Sequence, residues 1–146
     1  MSLKLLLLLP LFYPYSINWH NDLNEAEKIA RKEHKYILLN FSGSDWCGPC
    51  MRMHAEFFES GVFKEMAESD LVMVNADFPR NKKNQLPEAQ QKLNDDMADK
   101  YNPNGKFPYT LLLNADGKVL RAWEGLPDES PDNFTMDIRN AIYSNP

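Results

Sequence analysis

Three short apolar runs, at residues 36–41, 71–76 and 109–114, constrain the fold most, because each is separated from the next by a stretch long enough for helices. The runs are apolar almost throughout rather than alternating, the pattern of strands covered on both faces. Strands joined by helical crossovers run parallel. After the third run, Asn114-Ala115-Asp116-Gly117 has hairpin chemistry, and residues 118–123 read as a returning antiparallel strand. The pattern predicts an α/β protein with one mixed central sheet. Its core is parallel, its C-terminal hairpin is antiparallel, and helices cover both faces.

Helix signals fill the gaps. Asp22 with Glu25 has capping-box spacing, and Leu23, Ala26 and Ala30 follow on one stripe to about Glu33. A helix runs from Cys47 through Cys50 and Phe57 to Ser60-Gly61, followed by a short one over 62–67. Residues 78–85 form a polar excursion, with Lys82-Lys83 as a solvated tip. Pro87 opens a helix that turns Ala89, Leu93 and Met97 inward. Ser130 caps a last helix whose buried stripe is Phe134, Ile138, Ala141 and Ile142.

The chemistry concentrates in Trp46-Cys47-Gly48-Pro49-Cys50, which lies where a strand passes through a loop into a helix. A helix start presents unpaired N–H groups and a positive dipole end. A thiolate there is stabilised, and its pKa falls from about 8.5 toward about 3.5–7.5. Cys47 is the expected nucleophile. Cys50, nearly one turn on and closer to the core, is shielded and placed to reach the Cys47 sulfur. This arrangement suits exchange through a mixed disulfide formed by Cys47 and resolved by Cys50. Pro49 fits an early helical position, and Gly48 leaves the Cys47 sulfur uncovered.

The segment Asp45-Trp46-Cys47-Gly48-Pro49-Cys50 resembles the active site of the thioredoxin family, and Phe107-Pro108-Tyr109-Thr110 resembles the family's cis-proline segment. Gly117-Lys118 matches its hairpin and Gly125 the glycine of the following loop, so the resemblance covers about Leu23 to Tyr143. It implies a thioredoxin-like three-layer sandwich with a cis peptide before Pro108 that faces the cysteines. Trp46, Phe107, Pro108, Gly125 and Leu126 would form a shallow apolar rim for partner polypeptide, with the Phe107 backbone pairing with it. The implied activity is thiol–disulfide exchange on disulfide-bearing proteins. It needs an electron donor but no cofactor beyond the Cys47–Cys50 disulfide. Gly-Pro between the cysteines resembles reductants more than oxidants. An oxidant or isomerase of the same fold, or a non-enzymatic binding module, is the alternative.

Two positions depart from the family pattern. Family members commonly bury an Asp on the first core strand and a Lys on the next, where this chain has Asn40 and Met73. Deprotonation of Cys50 then falls to water, Asp45 or another group. Cys47, Cys50 and His54 offer three ligands on one helix, but structural zinc wants four, so no metal site is expected. His54 reads as a core-edge histidine, Met51, Met53 and Met66 as gap-filling core, and Trp19 and Trp123 as packing. His20 and His34 carry no partner pattern.

Length and charge bound the remainder. The 146 residues make one domain, assigned to 18–146. A net charge of −5 without a basic block argues against nucleic-acid binding. Two cysteines exclude a disulfide-stapled scaffold. The expected state is a monomer. Residues 1–17 differ: Lys4 precedes the run Leu5 to Leu9, and Pro10 and Pro14 interrupt the block before the ~20 residues of a bilayer span. This pattern is signal-peptide-like, or else an apolar arm packed on the domain. It predicts a periplasmic or secreted protein without a stable membrane span, with a cytoplasmic one as the alternative.

Overall fold

A computed structural model describes residues 14–146. The signal-like reading of Lys4 and the leucine run lies outside the described residues. Ile17, at the end of that segment, packs against the core.

The elements in order are β1 (Trp19–His20), α1 (Leu23–Glu33), β2 (Tyr36–Ser42), α2 (Gly48–Arg52), α3 (Gly61–Asp70), β3 (Leu71–Asp77), α4 (Glu88–Tyr101), β4 (Tyr109–Leu113), β5 (Val119–Glu124) and α5 (Pro131–Tyr143). The sheet order is β1-β3-β2-β4-β5. β3 lies parallel to both β1 and β2, while β4 runs antiparallel to β2 and β5. The mixed sheet with its antiparallel final hairpin is as expected, but the third apolar run, β4, lies antiparallel to β2 rather than parallel as the helix between β3 and β4 implied. The two-residue strand β1 is an addition, too short to leave a periodic signal.

Side chains of a strand alternate between faces, and the core divides accordingly. Leu38, Met73 and Leu112 join Phe63 and Met66 of α3 and Phe134 and Ile138 of α5 on one face. Ile37, Leu39, Phe41, Val72, Val74, Leu111 and Leu113 meet Ala26 and Ala30 of α1 and Met97 and Tyr101 of α4 on the other. Phe41, Phe58, Phe63 and Phe134 are fully buried, each contributing about 1.5–3 kcal/mol.

Most local signals act as read. The Asp22 carboxylate accepts the N–H groups of Asn24 and Glu25, and Ser130 caps α5. Ser60, expected only to end the preceding helix, also caps α3. Four readings change. α4 buries Asn94, Met97 and Tyr101, while Ala89 stays exposed and Leu93 half-buried. The Asn94 side chain donates to the Asp77 carbonyl and accepts from Gln90, so polar contacts turn the helix away from its apolar stripe. Met51 is exposed whereas Met53 and Met66 are buried. After Arg52 the helix widens into a π-helical segment, Met53–Phe58, that buries Met53, Phe57 and Phe58. His54 is more exposed there than a core-edge histidine would be, 3.6 Å from Glu59, though its ring lies beside Trp19 at a centroid distance of 6.1 Å. His34 closes α1 in the left-handed conformation (φ 55°), a place usually taken by glycine.

Trp19 packs edge-on against Phe58, and Trp123 against Phe134, as packing residues should. No helix of the described residues is long and apolar enough to cross a membrane.

Candidate active site

β2 ends at Ser42, and a tight loop turns the chain into α2. The Cys47 N–H donates to the Gly43 carbonyl at 2.9 Å. Cys47 stands at the cap of α2 rather than inside it, and its Sγ accepts the Cys50 N–H at 3.2 Å. The sulfur thus takes the place of a capping serine or aspartate oxygen. Pro49 lies in the first turn, where its lacking N–H costs nothing. A Cβ on Gly48 would meet no atom within 4 Å, so this side of the cap is open.

Cys47 and Cys50 are joined as a disulfide, with Cα atoms 5.2 Å apart. In this oxidised state both residues are buried, at 5% and 3% exposure. The difference between them is therefore one of position, cap against first turn, more than of accessible area.

The Phe107–Pro108 peptide is cis, as the resemblance implied. Trp46, next to Cys47, stacks edge-on against Phe107 with ring centroids 5.4 Å apart. That contact brings the cis-proline segment to the cysteine loop. Gly125 donates its N–H to the Pro108 carbonyl at 2.9 Å and has φ +78°, a conformation that favours glycine. Trp46, Phe107, Pro108 and Gly125 are thus linked side by side, while Leu126 packs, partly buried, against the α5 side of the core.

Beneath this rim, one row across the sheet is polar. Asn40 pairs in register with Asn75 on β3 and Thr110 on β4. Its Nδ2 donates to Asn75 at 3.0 Å, and its Oδ1 accepts from the Thr110 hydroxyl at 3.1 Å. Met73 is buried in the apolar core. The row is neutral and its side chains bond one another, so it offers no carboxylate base to Cys50.

Asp45 is committed elsewhere. It accepts the N–H groups of Arg80 and Asn81, each at 2.9 Å, and the Asn84 side chain at 3.1 Å. The Arg80 backbone N–H, then the Asn84 amide, hold its carboxyl below the usual carboxylate range, which makes it a poor proton acceptor. Ser44 is tied to the Asp77 carboxylate through its N–H and hydroxyl. The Trp46 indole donates to the Phe78 carbonyl at 2.7 Å, and the Arg80 guanidinium lies 3.7 Å from the centroid of the same ring. The excursion over 78–85 is therefore a second wall of the cysteine loop. Its composition reads as solvated, and only tertiary contact reveals that role.

Fold and site together define a class, the three-layer α/β proteins that carry a CxxC disulfide where a strand passes into a helix. The chain belongs to the thioredoxin-like family, whose profile matches residues 18–115. It is 40% identical over 96 residues to the disulfide bond reductase DsbH of Chlamydia pneumoniae, a match covering 66% of this chain and 56% of that protein. It is 29% identical over 129 residues to the thioredoxin-related protein DsbJ of the same organism, covering 88% of this chain and 36% of DsbJ. A solved DsbH oxidoreductase superposes with a TM-score of 0.82 at 30% identity, over 97% of this chain and 95% of that one. The matches thus span about half or less of the length of these two curated relatives.

Proposed function

We propose that this protein is a thiol–disulfide oxidoreductase that reduces disulfides of partner proteins. The observation that carries the reading is the cap-position disulfide: Cys47 and Cys50 are bonded, and the Cys47 sulfur accepts an N–H from the start of α2. In the reduced protein the same N–H favours a thiolate at Cys47.

The reaction runs in two exchanges. The Cys47 thiolate attacks one sulfur of the substrate disulfide, forming a mixed disulfide and releasing the first substrate thiolate. The Cys50 thiol then loses its proton and attacks the Cys47 sulfur, forming the Cys47–Cys50 disulfide and releasing the second. The substrate gains two electrons, and its two thiolates take up two protons from solvent, which received one from Cys50 in this step and one from Cys47 when it ionised. A dithiol donor returns the protein to the reduced state. With Asn40 neutral and Asp45 committed to its loop, neither supplies a base for the Cys50 proton. Trp46, Phe107, Pro108 and Gly125 receive the substrate chain, with Leu126 following Gly125 at the edge of the rim and Gly48 and Pro49 shaping the cap.

Reduction is favoured over oxidation by the Gly-Pro dipeptide and by the likeness to a protein named a disulfide bond reductase. The charged, then apolar, start of the chain supports an exported site of action. Insulin reduction with dithiothreitol as donor tests the activity. The wild type accelerates it and Cys47→Ser returns it to the rate of dithiothreitol alone; equal rates overturn the reading. Equilibration with glutathione tests the direction, for which a reducing couple is expected.

A further inference from the structure

The 78–85 excursion is tied to the cysteine loop through Asp45 and Trp46 and is braced within itself by further bonds. Besides the contacts to Asp45 and Trp46, the Gln85 side chain donates to the carbonyls of Pro79 and Asn81 at 3.0 and 3.3 Å. The Asn81 side chain accepts the Lys83 N–H at 3.2 Å. From Asp77 to Gln85 the chain carries Arg80, Lys82 and Lys83 against one carboxylate, Asp77, itself bonded to Ser44. Among the described residues, none of these three cations lies within 4.0 Å of a carboxylate side chain. Arg80 is exposed and stacked on Trp46, one residue from Cys47. A guanidinium flat against an indole keeps its edge N–H donors free, and its fork matches a carboxylate.

We infer that Arg80, supported by Lys82 and Lys83, selects substrates whose disulfide is flanked by acidic residues. The inference rests on the proposed exchange at Cys47 and names the chemistry of its substrates. Preorganisation strengthens it, because Asp45 and Gln85 hold the loop before any partner arrives, so little ordering cost remains at binding. The whole-chain charge of −5 favours the opposite order, repelling acidic partners. The two fields therefore make opposite forecasts, and experiment separates them.

The test uses the reduced protein and two peptide disulfides that are identical except for Glu or Lys beside the cysteines. Neutral hydroxyethyl disulfide serves as a third substrate, with dithiothreitol as donor throughout. At about 0.01 M salt, where the Debye length is about 30 Å, kcat/KM for the acidic peptide exceeds that for the basic one by about tenfold. At about 1 M salt, where that length is about 3 Å, the ratio falls toward one. Arg80→Glu lowers the low-salt ratio at least about tenfold, Arg80→Gln lowers it less, and Lys82→Glu with Lys83→Glu lowers it with Arg80 intact. Because the readout is a ratio, a general loss of activity from a disturbed loop leaves it unmoved. A wild-type ratio at or below one, or a ratio unchanged by Arg80→Glu, overturns the inference. If hydroxyethyl disulfide is still reduced in that case, the proposed exchange survives. If none of the three substrates is reduced, exchange and inference fall together.

Discussion

Gly43 and the indole of Trp46 occupy one another's space: a Cβ built on Gly43 would overlap Cε2, Cζ2 and Nε1 of the ring. Trp46 also donates to Phe78, lies beneath Arg80 and meets Phe107, so this glycine sets where three walls of the site converge. Its backbone is not in the left-handed region, and the requirement for glycine is purely one of close approach.

Gly43→Ala is therefore expected to displace Trp46. Overpacking of this kind costs about 1–3 kcal/mol. The expected outcome is a lower unfolding midpoint in urea, a shifted Trp emission and a loss of kcat/KM for insulin of about tenfold. An alanine variant with unchanged emission and rate would show that the loop takes up the methyl without moving the indole.

The two cysteines should be separable by trapping. Cys50→Ser removes the resolving sulfur, so a substrate disulfide accumulates as an adduct on Cys47, visible as a mass increase of one substrate half. Cys47→Ser leaves Cys50 inside the first turn, and its adduct yield should be at least about tenfold lower. Equal yields would contradict the assignment of nucleophile and resolving residue.

The Asp45 clamp should respond to acid. Its carboxyl is held below the ordinary value of about 3.9, first by the Arg80 N–H and then by Asn84. A group lowered on folding contributes stability that is fully present above its unfolded pKa and is lost as pH falls through the folded one. Below about pH 4 the 78–85 loop should loosen and Trp46 fluorescence should change reversibly. In Asp45→Asn that acid step should be missing, since the amide does not titrate. An identical step in both proteins would assign it to another group.

Asn40→Asp should not restore a family-like acid at low cost. The new carboxylate would meet the Asn75 Oδ1, which now accepts from the Asn40 amide, and the site is 5% exposed. Burial and the facing oxygen both raise the folded pKa, against the one donor at the site, the Thr110 hydroxyl. The variant should match wild type in acid and lose stability as pH rises above about 3.9, reaching a deficit of about 2 kcal/mol. That corresponds to a melting point about 4–8 °C lower than wild type at pH 8, measured at both pH values. A constant difference across pH would mean that the carboxylate finds a donor or solvent.

Most of the scaffold was legible because its signals are local. The apolar runs marked β2, β3 and β4, and Asp22 and Ser130 capped the helices they precede. Cys47 and Cys50 were legible because three-residue spacing at a helix start carries its own chemistry. What failed was orientation. The face of α4 was set by Gln90 and Asn94 bonding across to Asn21 and Asp77, not by its apolar residues. Met51 likewise faces outward from α2, while Met53, two residues on, is buried.

By itself, then, the chain order determined a mixed sheet, its helices and the sulfur pair, since periodicity, capping and a CxxC spacing act over a few residues. Tertiary structure alone decided that Arg80 lies on Trp46, that Asp45 is bound to residues 35 to 39 positions away, and that the Asn40 amide is hydrogen-bonded on both sides, to Asn75 and from Thr110. Those contacts join segments far apart in sequence, where no local pattern records which side chains will meet.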